Sequence, residues 1–148
     1  VNSERLEEAR IMAEALLREH GLTDWTFRFN RSVRTLGLCY FDERRVELSR
    51  HFVLRNPLDD VREALRHEVA HALAGPEDGH GPIWRAWCAR LGAEPKRTRK
   101  ASMPDPRYWA KCECGKTYGL YRRPKINSHC CSECGTVVRF GKKESGDC

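Results

Sequence analysis

No apolar run in the 148 residues is long enough to span a membrane. The opening stretch, VNSERLEEARIMAE, is charged throughout and lacks the apolar centre and cleavage site of a secretory signal. These two absences make an intracellular, cytoplasmic location the expectation and leave a membrane partner without support. Wholesale disorder is not expected either, since 9% of the residues are aromatic and 40% hydrophobic content is enough for a core. A chain of this size has room for one modest domain and a small appendage.

Excess positive charge is missing from the first two thirds. Residues 1–95 hold 14 Lys/Arg against 16 Asp/Glu, whereas residues 96–148 hold 13 against 5, so the formal charge of +6 belongs to the C-terminal third. A basic appendage on a near-neutral domain points to a polyanionic partner, nucleic acid first, with solubility as the bland alternative. The even spread of cysteines typical of a disulfide framework is also missing. Five of the eight crowd into residues 112–134, which suits thiolate metal ligation better. Cys39 and Cys88 lie among apolar residues and read as small buried hydrophobes, while Cys148 sits in a polar tail.

Residues 3–20 repeat Leu6, Ala9, Ala13, Leu16 and Leu17 at helical spacing, with Gly21 as terminator. Three short strands are expected at Trp25–Asn30, Leu36–Phe41 and Arg45–Leu48, and connections this short favour antiparallel pairing. Asn56 is a candidate cap and Pro57 a first helical residue for a helix running to about Ala74, stopped by Gly75-Pro76. A further helix starts near Pro82, with Ile83, Trp84 and Trp87 as packing residues. The expected division is a domain at 1–95, a basic proline-containing linker at 96–107, a small unit at 108–141 and a polar tail at 142–148.

Within the helix that follows Pro57 stands His67-Glu68-Val69-Ala70-His71, an H-E-x-x-H run. Helical phasing puts His67, Glu68 and His71 on one face, opposite Leu58, Val61, Leu65, Val69 and Ala72. Two imidazoles one turn apart can hold zinc, and the carboxylate between them can reach a water on the metal. A catalytic zinc needs a third protein ligand. His80, flanked by Gly79 and Gly81 after the helix break, is preferred, with Glu77 and Asp78 as competing carboxylates. The interval from His71 to His80 is longer than in the metzincin pattern. The expected chemistry is hydrolysis by a zinc-activated water, with His67, His71 and His80 as ligands and Glu68 as general base. His51 and His20 read as surface or satisfied histidines.

Residues 108–141 are too few and too polar to fold on a hydrophobic core, so a structural metal is expected to supply what the core lacks. Cys112-x-Cys114-Gly and Cys131-x-x-Cys134-Gly, 16 residues apart, read as the two knuckles of a closed zinc site with four cysteine ligands. Cys130 and His129 are alternatives to Cys131. Trp109 and Tyr121, interleaved with Lys111, Lys116, Arg122, Arg123 and Lys125, are candidate nucleic-acid contacts: rings stack on bases while cations meet phosphates. Tyr108 and Tyr118 are the aromatics assigned to cover the small metal-centred core.

The chain resembles the SprT-like family of zinc metallopeptidases, related to the Spartan DNA–protein crosslink proteases. The resemblance rests on the N-terminal helix, the R-S-x-x-x-x-G-x-C segment Arg31–Cys39, the strand ending Glu47-Leu48-Ser49, and HEVAHAL. It extends to the H-G-P-I-W segment containing His80 and the C-x-C…C-x-x-C-G ribbon. It implies an α+β fold, a zincin-like minimal metallopeptidase domain built of an N-terminal helix, a small antiparallel three-stranded sheet, the H-E-x-x-H helix and a following helix, plus a C-terminal zinc ribbon. It implies the same zinc ligands, the same catalytic Glu68, a protein substrate, and DNA, single-stranded DNA included, as a partner; a monomer, two zinc ions per chain and association with DNA are the accompanying expectations. Two rival functions use the same residues: a non-enzymatic DNA-binding zinc protein, and a zinc hydrolase of another amide or ester.

Overall fold

A computed structural model of the chain describes residues 2–142. Cys148 and the tail beyond Lys142 lie outside the described residues. The chain divides into two compact units, meeting in sequence at Met103 and Pro104.

In the first unit, α1 (Asn2–Glu19) buries Ala9, Ala13 and Leu17, residues four apart that share one face. The helix ends where Gly21 takes a left-handed φ of 73°. Three strands follow, β1 (Thr26–Asn30), β2 (Gly37–Tyr40) and β3 (Arg45–Ser49), in spatial order β1-β3-β2. β2 pairs antiparallel with β3, as expected, but β1 pairs parallel with β3. The sheet is therefore mixed rather than antiparallel. A direct crossover between parallel neighbours would need a dozen or more residues. Here β2 reverses the chain first, and β3 then enters the gap between β1 and β2. The arch over that gap is fastened to the end of β3, where Ser49 N donates to Leu36 O at 2.8 Å and Ser49 Oγ donates to Ser32 O at 2.5 Å.

β3 is central and buried along nearly its whole length. Val46 and Leu48 are fully buried, and Glu47 is tolerated inside because Arg45 Nε reaches it at 2.6 Å and Asn30 Nδ2 at 3.1 Å. A short helix that the sequence pattern does not reveal, α2 (Arg50–Arg55), follows directly. Ser49 caps it, its Oγ accepting from Phe52 N, and Phe52 and Val53 enter the core. His51 stays at its surface beside Arg55.

α3 (Leu58–Ala74) and α4 (Pro82–Leu91) complete the unit. Asn56 does not cap α3. Its Nδ2 donates to Phe52 O and Ser102 O, and its Oδ1 accepts from Ser102 N, all at 2.8 Å. The first carbonyl to accept in α3 is that of Pro57. Asn56 thus straps down part of the segment expected to be a linker. Residues 96–103 carry no regular structure, yet Arg99 pairs with Glu63 at 3.1 Å and Ala101 and Met103 pack against the core. That packing runs through single residues rather than a periodic stripe. In α4, Trp84, Cys88 and Leu91 are buried and Trp87 packs partly, but Ile83, expected to pack, is 53% exposed on a different face of the helix from Trp84, Cys88 and Leu91.

The second unit is a three-stranded antiparallel sheet of β4 (Tyr108–Lys111), β5 (Thr117–Leu120) and β6 (Gly141–Lys142), in order β5-β4-β6. Its buried cluster consists of Ala110, Cys112, Cys131 and Val138, with Tyr118 and Phe140 packed partly against it. Two of those four residues are cysteines, so aliphatic burial alone is a weak source of stability here. The architecture is α+β with a C-terminal ribbon-like sheet.

Candidate active site

α3 places His67 and His71 one turn apart, and the loop before α4 brings His80 back to them. Their Nε2 atoms form a nearly equilateral triangle, 3.2 Å from His67 to His71, 3.2 Å from His71 to His80 and 3.3 Å from His80 to His67. Nitrogen ligands on a zinc tetrahedron at about 2.0–2.1 Å from the metal stand about 3.3–3.4 Å from one another. The triad thus has the spacing of a preformed three-coordinate site. Three imidazole nitrogens converging this closely also lack enough donors for one another, and one cation satisfies them all.

The surroundings hold these imidazoles in the uncharged form. Burial, then the neighbouring histidines, hold His67 down to about 4; burial, then His80, does the same for His71. His80 is lowered as well, by burial first and then by Arg97 and Arg85. Neutral imidazole is the ligating form.

Trp84 organises the triad. It is fully buried, and its ring lies 4.8 Å from His67, 5.3 Å from His71 and 4.6 Å from His80, centroid to centroid. Its Nε1 donates to His67 O at 3.2 Å, tying α4 to the histidine-bearing turn of α3. The sequence marks Trp84 as a packing residue and gives no sign of this position beneath all three rings.

Asp78, weighed as a competing ligand, is outside the triad. Its Oδ2 accepts from Trp84 N at 2.7 Å and so caps the first turn of α4. Gly79, at φ 57°, turns the chain between that cap and His80.

Glu68 is buried, and its Oε1 stands 3.9 Å from His67 Nε2. Burial raises its carboxyl to about 8, and a cation held by the triad would favour the carboxylate in opposition to that desolvation. The groove above it, about 550 Å³, is walled by Leu36–Cys39 on one side and by Lys96–Arg99 on the other. Cys39 is half-buried and lines this groove rather than filling the core. Burial, then Glu68, pushes its thiol up to about 12, so it remains protonated; Cys88 is fully buried as expected.

The second cluster is Cys112, Cys114, Cys131 and Cys134, whose sulfurs all lie within 4.8 Å of one another. Cys112 and Cys134 are 3.3 Å apart and Cys114 and Cys131 3.5 Å, too far for disulfides and suited to one metal ion. Gly115 N donates to Cys112 O and Gly135 N to Cys131 O, both at 2.9 Å, closing the two knuckles. Tyr118 donates its hydroxyl to Cys131 Sγ at 3.1 Å. That bond, followed by backbone donors, lowers the thiol to about 6. The alternatives to Cys131 point elsewhere. Cys130 is exposed and bridges to Val137, while the His129 ring packs on Phe140, with Nδ1 2.8 Å from Ser128 Oγ.

The candidate nucleic-acid residues separate. Arg123 and Lys125 join Tyr108, Arg139, Phe140 and Lys142 around a groove of about 730 Å³. Lys111 and Arg122 are exposed outside that lining, and Tyr121 is half-buried. Trp109 is 38% exposed and donates to Pro106 O at 2.9 Å; Lys116 is held by Ser132 at 2.7 Å and Glu133 at 2.8 Å. Arg139 and Lys142 were missed because nothing in their local sequence ties them to Arg123 and Lys125.

The sequence profile of the SprT-like family matches residues 7–103. The chain belongs to the SprT-like family. The match ends at Met103, the last residue of the unit that carries the histidine triad. No curated protein and no solved structure matches the chain. Family membership and the triad together identify a zinc metallopeptidase, with two side-chain clusters suited to two zinc ions. Among the described residues no helix is long and apolar enough to cross a membrane.

Proposed function

We propose that this SprT-like protein is an endopeptidase that cuts proteins held on DNA, with His67, His71 and His80 as zinc ligands and Glu68 as general base. The observation that carries the peptidase reading is the convergence of three Nε2 atoms at 3.2–3.3 Å beside a buried carboxylate. Zinc bound there would supply Lewis acidity, making a nearby water more acidic and a carbonyl more electrophilic. Glu68 holds the proton leaving that water on a carboxylate oxygen and passes it to the departing amine. Trp84 keeps the three rings in register, and Asp78 fixes the loop from which His80 projects. Cys112, Cys114, Cys131 and Cys134 hold a second, structural zinc.

The DNA part of the reading is supported by the ribbon groove. Arg123, Lys125, Arg139 and Lys142 line it together with Tyr108 and Phe140, a mixture of cations and rings that suits a polyanion with stackable bases. Exposed Lys111 and Arg122 extend the same charge. Cleavage of casein and of a DNA-bound protein, with and without single-stranded DNA and over a salt series, tests both parts. The expected result is cleavage that DNA stimulates and that salt suppresses through lost DNA binding. Cleavage with no DNA binding at low salt would remove the DNA part alone; no cleavage by zinc-loaded protein under any condition would remove the peptidase reading.

A further inference from the structure

The absence of a side chain at Gly37 has a direct connection to Glu68. Gly37 opens β2, the edge strand lining the groove, and pairs with Leu48 of β3. A Cβ built on it would stand 2.8 Å from Leu48 Cδ2, 2.9 Å from Glu68 Cγ and 3.1 Å from Glu68 Oε1. Ordinary carbon contacts are about 3.5–4.0 Å. Gly37 is also outside the set of glycines with positive φ, so its backbone conformation is open to alanine. What this position excludes is a side chain, and the atoms that exclude it include the carboxylate of the catalytic glutamate.

We infer that Gly37 is a positioning residue for the reaction: its bare backbone is the wall against which the Glu68 side chain is set. This rests on the reading of Glu68 as general base. Leu48 is fully buried in the core, whereas Glu68 borders the groove. A methyl at Gly37 is therefore accommodated chiefly by displacement of Glu68 into the groove, by roughly 0.5–1 Å to restore normal contact distance. The atoms nearest the added methyl belong to Leu48 and Glu68 and none to the triad, so metal binding is left intact. Misplacement of a catalytic group by about 1 Å costs on the order of 10²-fold in rate.

The test compares wild type, Glu68→Gln, Gly37→Ala, Leu48→Val and the double variant Gly37→Ala/Leu48→Val. Zinc content, unfolding midpoint, kcat and KM on casein-derived peptide are measured for each. The expected result for Gly37→Ala is full zinc, a cooperative unfolding transition, kcat reduced by about 10- to 100-fold and KM within about twofold of wild type. Leu48→Val removes the contacting δ carbon, so the double variant separates the two clashes. A kcat loss that persists in it relative to Leu48→Val assigns the effect to Glu68. Recovery of kcat in the double variant, unchanged kcat in folded Gly37→Ala, or a Gly37→Ala protein that does not fold would each overturn the inference, because the core and not Glu68 would then bear the methyl. Full activity in Glu68→Gln would instead remove the underlying role of Glu68.

Discussion

The two metal clusters stand on opposite foundations. The histidine triad sits at the edge of a core that, among the described residues, has seventeen buried members, sixteen from α1, the mixed sheet and α2–α4, with Ala93 just beyond α4. The cysteine cluster supplies two of the four residues buried among the described residues of its own unit. In the first unit the fold builds the site; in the second the proposed zinc site would build the fold. The ligands follow the same division. As ligand sets of the proposed zinc ions, three imidazoles would leave a coordination position open for chemistry, whereas four thiolates would close the sphere and serve folding.

Stripping metal should break this comparison open with the largest effect. Structural zinc contributes apparent binding free energies of about 10–16 kcal/mol in small Cys/His modules. On chelation, amides of residues 108–142 should lose protection from hydrogen exchange while those of β3 and α3 retain it. Equal loss of protection in both units would contradict the contrast. Next in size, Trp84→Ala should destabilise the first unit by about 3–5 kcal/mol and release zinc from the triad alone, because one ring supports all three histidines. Differential unfolding and zinc stoichiometry would reveal it, and a stable variant that still binds two zinc ions would disprove the supporting role. Asn56→Ala should follow, costing about 1–3 kcal/mol through lost bonds to Phe52 and Ser102, with faster proteolysis of residues 96–103 as its sign. The smallest effect is expected for Asp78→Ala, about 1 kcal/mol of stability from the lost helix cap, accompanied by weaker zinc binding at the triad and no change at the cysteines. Competition with a chromophoric chelator would measure that difference.

Much of this was legible in the sequence wherever the signal was local. Gly21, Gly75 and Pro82 mark helix ends by backbone chemistry, and the one-turn spacing of His67 and His71 fixes their common face. His80 was legible because a helix break with two glycines beside it leaves the chain short enough to return. Strand order was not, since strands of four or five residues carry no mark of which neighbour they choose. The six residues of α2 are too few to display a helical period. Asn56 looks like a cap by sequence, and its actual partner, Ser102, lies 46 residues away. The same non-locality hid Trp84 beneath the triad, Gly37 against Glu68, and Arg139 and Lys142 beside Arg123. Sequence spacing selected the ligands; tertiary packing decided what holds them.

The central claim is that a preformed histidine site positions metal for Glu68 to use. Its most direct test is Glu68→Gln, assayed for zinc per chain and for peptide cleavage in the same preparation. Two zinc ions per chain with cleavage reduced by at least about 10²-fold is the predicted result. Two zinc ions with cleavage at the wild-type rate would contradict it.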